Sequence, residues 1–271
     1  MWSKPPARSL DEIHADLVNC RRCILCETRT TVVFGVGNPE AEVMFIGEAP
    51  GRQEDLGAEP FIGAAGQYLN ELLALAGFSR PEIYIANVLK CRPPENRDPL
   101  PAEIEVCSPF LREQVRSIAP EIIVTLGNFA TRFILRTDRG ISGLRGKIHI
   151  TGPFSVLPVF HPAAAIYDRS KQAVMDDDFR LLGRLIERRR AERAARTAES
   201  AARTTESAAR TTESAASAAT ELATLTVTEP VASSDEPAAP AVAKPAVPTT
   251  IEPAALVTTE PTALATEPGN L

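Results

Sequence analysis

The chain has 271 residues and a formal net charge of -6 at neutral pH. Residues 191–271 hold 5 basic and 11 acidic side chains, so this segment carries the whole excess and residues 1–190 are neutral. Acidity therefore does not exclude a nucleic-acid partner, because a neutral domain can gather its arginines on one face. No apolar run is long enough to span a membrane and the start does not resemble a signal peptide, so we expect a cytoplasmic protein.

Five cysteines are the first notable feature along the chain: Cys20, Cys23 and Cys26 form a trio, and Cys91 and Cys107 follow later. In a reducing compartment they are not expected to form disulfides, whereas paired thiolates from separate segments ligate zinc or an iron–sulfur cluster. Four ligands are needed, so one cysteine is spare, and we expect it to be Cys26. Spacing alone does not separate zinc from [4Fe–4S], and five unrelated buried thiols are the structural alternative.

Four short, nearly continuous apolar runs are typical of buried parallel strands, and they are Val43–Ile46, Ile83–Val88, Ile122–Leu126 and Val156–Phe160. Helical patterns lie between them at Ala64–Ala76, Ala102–Ile118 and Asn128–Leu135. This alternation predicts an α/β fold, a three-layer αβα sandwich around a central, mostly parallel four-stranded sheet.

The chain changes character near Ala191, after which no aromatic residue occurs. The heptapeptides AARTAES, AARTTES and AARTTES follow one another in residues 194–214, with Glu199 and Arg203 spaced four apart as in helix ion pairs. Such a segment buries too little apolar surface to offset its ordering entropy. We expect a domain at 1–190 and a low-complexity tail at 191–271, which is helical at its start, extending a helix from near Met175, and then disordered.

Polar residues follow three of the predicted strands, where parallel sheets collect ligands. The turn GEAPG spans Gly47–Gly51, Asn87 ends its strand, and His161 follows the last one. GEAPG lacks the lysine of a P-loop and the glycine spacing of a dinucleotide-binding loop. An Asn amide can bond two adjacent atoms of a heterocycle, and a His can donate to a developing anion. Taken singly, Asn87 is more often a strand-end cap and Phe61 is more often core, whereas His161 is equally explained as a structural residue.

Several longer stretches resemble the family 4 uracil-DNA glycosylases, the iron–sulfur members of their superfamily. They are CRRC, VVFGVGNPEAEVMFIGEAPGRQED, PFIGAAGQYLN, YIANVLKCRPPENRDPLPAEIEVC, IIVTLG, LRGK and FHPAA, in order between about Asn19 and Ala165. The resemblance implies a uracil-DNA glycosylase fold and hydrolysis of the N-glycosidic bond of deoxyuridine at the start of base-excision repair. It also implies a [4Fe–4S] cluster on Cys20, Cys23, Cys91 and Cys107.

The implied uracil pocket uses residues from the GEAPG turn and from two later segments. Phe61 would stack on a base taken from a single strand or flipped out of a duplex. Asn87 would accept from N3–H and donate to O4. The turn of Glu48, Ala49 and Pro50 would lie against the uracil edge, with backbone amides around Glu48 and Ala49 contacting it.

The implied chemistry depends on His161, which would donate to uracil O2 as the base leaves as an anion. Family 1 enzymes resemble GQDPY at the turn, and Ala49 stands where their water-positioning Asp would be. The reaction must therefore lean on leaving-group stabilisation, or another group must place the water. Glu48, named with Ala49 among the catalytic candidates, is adjacent but lies where family 1 has Gln. Glu54 is implied to fill the space that bars the thymine methyl group, with a simple surface Glu as the alternative.

A non-catalytic or cross-linking protein that binds uracil or abasic DNA on the same fold is the alternative function. Cross-linking relatives carry a His in a KRRIH-type loop, and residues 88–106 contain neither such an insertion nor a His, so turnover is preferred. Arg92 or Arg97 is expected to approach DNA phosphates. We further expect a nucleoid-associated monomer with a solvated tail, and binding of a repair or replication partner by the tail is the alternative.

Overall fold

The computed structural model of the chain describes residues 8–225. Contacts divide the chain into a first unit, Met1–Ala208, and a second unit, Ala209–Leu271. The described residues of the second unit, 209–225, are helical. The disorder expected at the end of the tail concerns residues that lie outside the described ones, and the domain boundary after residue 190 stays a prediction.

A six-stranded sheet forms the centre of the first unit, in the order β1-β3-β2-β4-β6-β5. Its strands are β1 (Val36–Gly37), β2 (Val43–Gly47), β3 (Tyr84–Asn87), β4 (Ile122–Leu126), β5 (His149–Thr151) and β6 (Phe154–Val159). The inner four are mutually parallel, and they are the four predicted strands. The prediction of a mostly parallel sheet is confirmed. The count of four omits two antiparallel edge strands, which are too short to give a periodic pattern.

The described residues form eight α-helices: α1 (Leu10–Leu17), α2 (Arg52–Gly57), α3 (Ala64–Leu75), α4 (Pro101–Ile118), α5 (Asn128–Leu135), α6 (Ile141–Leu144), α7 (Pro162–Tyr167) and α8 (Gln172–Leu225). The three helices predicted between strands correspond to α3, α4 and α5. The expected helix from near Met175 into the repeats corresponds to α8. No helix in this part of the chain is both long and apolar enough to cross a membrane.

Helices pack on both faces of the sheet because successive strand residues point to opposite sides. In β2, Phe45 belongs to a core that α3 and α8 complete, with Leu69 and Phe179 among its buried members. The next residue, Ile46, belongs to the core on the other face, where Leu111 of α4 packs. The three-layer sandwich follows.

Phe179 provides a test of how α8 is held. Its side chain is 1% exposed and stacks on Phe45 with ring centroids 5.9 Å apart. Phe179→Ala should lower the free energy of unfolding by about 3–5 kcal/mol, because the cavity can collapse only in part. Urea denaturation measures this, with the exposed neighbour Arg180→Ala as control. A loss no larger than that of the control would contradict the packing described here.

Candidate active site

A cavity of about 620 Å³ opens at the carboxyl ends of β2, β3 and β6. It brings together all seven residues that the sequence assigned to the pocket: Glu48, Ala49, Pro50, Glu54, Phe61, Asn87 and His161. They come from four separate segments of the chain, so this convergence is a result of the fold and not of proximity in sequence.

Other side chains line the same cavity without having been assigned to the pocket: Gln53, Pro93, Asn96, Arg97 and Tyr167. Three of them belong to the Pro-rich segment between Cys91 and Cys107. The sequence could have indicated those three, because two cysteines that bind one metal would fold the segment between them back towards the strand ends. No feature of the sequence indicated that Gln53 and Tyr167 would line the cavity.

Asn87 is held at the end of β3 with its side chain 1% exposed. Among the described residues its Oδ1 atom has no hydrogen-bond partner. The neighbouring Gly47 makes room for it, because a Cβ there would lie 2.3 Å from this oxygen and 2.8 Å from the Phe61 ring. A buried acceptor left unpaired costs about 1–3 kcal/mol, so a ligand N–H that reaches it gains correspondingly.

Phe61 adopts a left-handed backbone conformation, with φ of 55°, which is uncommon for a bulky residue. Arg80 holds this turn by donating to the carbonyl oxygens of Pro60 at 2.7 Å and Phe61 at 3.1 Å. Gly66 is required beneath it, since a Cβ there would lie 1.6 Å from the Phe61 carbonyl oxygen. The surroundings thus fix a strained residue in place, as is typical of binding sites.

His161 caps the N-terminus of α7 and faces Phe61, with ring centroids 5.5 Å apart. Its Nδ1 atom accepts from the Ala163 backbone N–H at 3.2 Å. This bond assigns the neutral tautomer with the hydrogen on Nε2. Burial lowers the pKa of His161 to about 4, although the charge of Glu54 partly opposes the shift. At neutral pH the side chain is therefore an uncharged donor through Nε2.

Glu54 is fixed on the cavity wall by two backbone donors. Its Oε1 atom accepts from the N–H groups of Ile62 and Gly63, each at 3.0 Å. Gly63 is the residue before α3, so the carboxylate also lies at the positive end of that helix. A Cβ on Gly51 would lie 2.7 Å from the other oxygen, Oε2, so Glu54 occupies the space beside Gly51.

The turn after β2 lies between the cavity and the cysteines. The Glu48 carbonyl oxygen accepts from the Leu89 N–H at 3.0 Å, which ties the turn to the segment following β3. Burial raises the pKa of the Glu48 carboxyl, and the charge of Asp98 adds to the effect. Ala49 packs against the apolar cluster that contains Cys91. The turn is therefore supported from the side that faces away from the cavity.

The cysteines of the two segments meet in this cluster. Cys91 and Cys107 are buried, whereas Cys20, Cys23 and Cys26 are partly exposed. Cys23 packs against the buried pair, and the thiols of Cys20 and Cys23 influence the ionisation of Cys107. Within residues 8–225, no three His, Cys, Asp or Glu side chains form a group that could hold a single metal ion.

The surroundings of the buried thiols fit sulfur that carries negative charge. Arg29 donates through Nη1 to the Cys91 sulfur at 3.3 Å, and the Lys90 backbone N–H donates to the Cys107 sulfur at the same distance. Burial raises the pKa of Cys91 to about 12 and also raises that of Cys107. Thiolates here therefore need compensating positive charge, which a bound metal supplies.

The segment between Cys91 and Cys107 is also fixed by its arginines. Arg97 binds the buried Glu103 through both nitrogens, at 2.9 Å and 2.5 Å. Arg92 donates to Asn96 Oδ1 at 2.8 Å. The expectation that Arg92 or Arg97 approaches DNA phosphates stays a prediction, and Arg97 in this structure is engaged in holding the segment.

Comparison with known proteins agrees with this geometry. The family model of the uracil DNA glycosylase superfamily matches residues 34–182. The type-4 uracil-DNA glycosylase of Archaeoglobus fulgidus is 45% identical over 185 residues, covering 65% of this chain and 93% of that protein. The type-4 enzyme of Saccharolobus solfataricus is 42% identical over 181 residues, with 64% and 84% covered. A type-5 uracil-DNA glycosylase of Pyrobaculum aerophilum is 32% identical over 157 residues, with 46% and 69% covered.

The chain therefore belongs to the uracil DNA glycosylase superfamily and, within it, to the type-4 uracil-DNA glycosylases. The family resemblance inferred from the sequence motifs is confirmed.

The protonation state of His161 can be measured directly. We expect its imidazole to titrate near pH 4 in NMR spectra, with the hydrogen on Nε2 above that pH, because burial disfavours the charged ring. His161→Gln assigns the resonance. A midpoint near 6.5, the value for a solvated histidine, would contradict the description.

The same shift gives a pH dependence of stability. Unfolded His161 takes up a proton below about pH 6.5, while the folded form does so only near pH 4. Stability from this group is therefore present above about pH 6.5 and is lost as the pH falls towards 4. Urea unfolding of His161→Gln should show a shallower loss over this range than the unmodified chain.

Proposed function

We propose that the protein excises uracil from DNA by hydrolysing the N-glycosidic bond, the first step of base-excision repair. The observation that carries the proposal is the unpaired Asn87 oxygen in a cavity that also presents the Phe61 ring and the His161 donor. Uracil offers the matching groups, which are a flat ring, an N3–H donor and a carbonyl oxygen on each side of it. The names of the type-4 relatives support the same activity.

Recognition of the base rests on fixed partners. Phe61 stacks on the uracil ring, Asn87 accepts from N3–H and donates to O4, and the turn of Glu48, Ala49 and Pro50 lies along the edge of the base. A cytosine needs the Asn87 amide rotated by half a turn.

Bond cleavage leaves the bonding electron pair on the uracil ring, while the sugar becomes oxocarbenium-like. His161 donates from Nε2 to O2, where negative charge develops, so its hydrogen bond is stronger in the transition state than in the ground state. Because the pKa of His161 is about 4, its imidazole stays neutral and keeps this donor throughout the physiological pH range. The oxygen of water then bonds to the sugar C1′ and loses a proton.

Glu48 is the group that we assign to the attacking water. Ala49 has no polar atom and cannot orient water, although it stands where family 1 enzymes have Asp. The Glu48 carboxylate lines the cavity, and its raised pKa is suited to accepting a proton from water. A general base acts only when ionised, so excision should decline at acidic pH in the unmodified chain. A Glu48→Gln variant that retains the full rate would rule out this role.

The cysteines would hold a [4Fe–4S] cluster through Cys20, Cys23, Cys91 and Cys107. The cluster's contribution is structural, since it joins the N-terminal segment to the loop that borders the cavity. The motifs shared with the iron–sulfur family support the cluster, and zinc is the alternative.

The wider setting belongs to the same proposal. The enzyme acts as a monomer on single- or double-stranded DNA, in the cytoplasm at the nucleoid, and residues 1–190 suffice for excision. Residues 191–271 serve to bind a repair or replication partner. Cross-linking to the product is not favoured, because His161 is the histidine that lines the described cavity and it has the leaving-group role.

Two substitutions test the assigned catalytic roles. His161→Ala and Asn87→Ala should each lower the single-turnover rate of uracil release by about 10²–10³-fold, the usual cost of losing one donor to a developing anion. His149→Ala is the matched control, because this residue lies on the edge strand β5. Uracil released in excess of one equivalent distinguishes an enzyme from a binding protein. A wild-type rate for His161→Ala would remove the role given to it.

Substitution of Glu54 tests the proposed exclusion of thymine. Glu54→Ala opens the space beside Gly51, so release of thymine relative to uracil should rise by at least about tenfold, a change of about 1.4 kcal/mol in discrimination. Gln53→Ala, which also shortens a residue lining the cavity, should leave the ratio unchanged. An unchanged ratio in both variants would mean that another group excludes the methyl.

The cofactor can be identified by metal and sulfide analysis after anaerobic purification. We expect iron and acid-labile sulfide in equal amounts, with loss of both in Cys107→Ser, since a ligand is removed. Cys26→Ser is the control and should retain the full content. Stoichiometric zinc without sulfide would overturn the cluster assignment, and loss of iron in Cys26→Ser would overturn the choice of ligands.

A further inference from the structure

A second concave surface lies at the opposite end of the sheet from the candidate active site. It is an apolar groove of about 390 Å³ between α4, α5 and the turn between β5 and β6. Its floor includes Val115 of α4, Phe133 and Ile134 of α5, and Phe154 of β6. Phe133, Ile134 and Phe154 are only partly buried against the core below, so the floor offers unfilled apolar surface.

Three arginines surround this floor: Arg112, Arg116 and Arg136. All are exposed, and none has a hydrogen bond or ion pair in the described part of the chain. Some other arginines at this end of the sheet are paired with carboxylates. Arg190 and Arg193 both bind Glu42, for example. The groove therefore combines an apolar floor with a rim of uncompensated positive charge.

We propose that this groove binds an acidic amphipathic segment of a partner protein. Carboxylates of such a segment match the planar donor pairs of the arginine rim, and its apolar side chains cover the floor. The rim alone would attract any polyanion. The floor adds the requirement for aliphatic or aromatic side chains, which a peptide can present on one face.

Two other occupants fit less well. A nucleic-acid backbone supplies phosphates for Arg112, Arg116 and Arg136 but no aliphatic group for the floor. A second copy of the chain, docked groove to groove about a two-fold axis, would bring two positive rims together. Like charges facing each other across an interface disfavour association.

The position of the groove allows a partner and DNA to bind together. Ile123 and Val156, which line the groove, lie near the amino ends of β4 and β6. Asn87 and His161 lie at or just after the carboxyl ends of β3 and β6, at the opposite end of the sheet. A partner in the groove therefore leaves the uracil cavity open, so binding would recruit the protein without inhibiting excision.

Selection from a display library of short random peptides on the full chain tests the proposal. Enriched peptides should combine acidic with apolar residues at helical spacing. Their affinity, measured by fluorescence anisotropy, should fall at least about tenfold in the triple variant R112E/R116E/R136E, since charge reversal opposes each carboxylate. The control R184E/R188E/R203E makes the same charge change at exposed positions of α8 outside the groove and should bind like the unmodified chain.

Additional measurements make the outcome decisive. Binding should weaken with added salt, because the rim is exposed to solvent. It should also weaken in Ile134→Ser, which removes apolar surface from the floor. Uracil release by every variant, measured in parallel, should stay at the unmodified level and shows that the fold is intact. The proposal is overturned by enriched peptides without the acidic and apolar bias, by equal binding to the triple variant, or by oligonucleotide alone competing for the site.

Discussion

The contact between Gly47, Asn87 and Phe61 is the constraint on which the active site depends. Two bulky groups occupy the volume where a side chain on Gly47 would lie, at 2.3 and 2.8 Å from its missing Cβ. Parallel pairing of Gly47 with Asn87 sets this approach, because the two residues are register partners at the ends of β2 and β3. The sheet itself thus positions the Asn87 amide at the cavity.

The cysteine cluster and the cavity share one structural element, the turn after β2. Ala49 contributes to both, since it packs against the cluster that contains Cys91 and Cys107 and also lines the cavity. The segment from Cys91 to Cys107 also joins the two, because its cysteines belong to the cluster and its Pro93 and Asn96 line the cavity. A change at the cysteines should therefore alter the cavity, although none of the cysteines in the described residues lines it.

Much of this arrangement could be predicted from the sequence, because long apolar runs and a distinctive set of motifs carry it. The inner strands and the helices α3, α4 and α5 were predicted, and the seven residues assigned to the pocket line one cavity, while their roles stay predictions. The edge strands were not, since two or three residues show no periodicity. The ionisation of His161 was also out of reach, because it depends on burial and on the Ala163 N–H, which are tertiary features. The Arg97–Glu103 ion pair could not be predicted either, because opposite charges six residues apart form no recognisable sequence pattern outside a helix.

The left-handed turn at Phe61 has a consequence for how substrates are ranked. Because Arg80 and Gly66 already hold this turn in place, little ordering entropy should be spent on Phe61 when a base enters. Differences in excision rate between substrates should then arise from the cost of exposing the uracil in the DNA, before the base enters the pocket. Uracil in a single strand, opposite guanine or opposite adenine should be processed in the order of the work needed to unstack and unpair it.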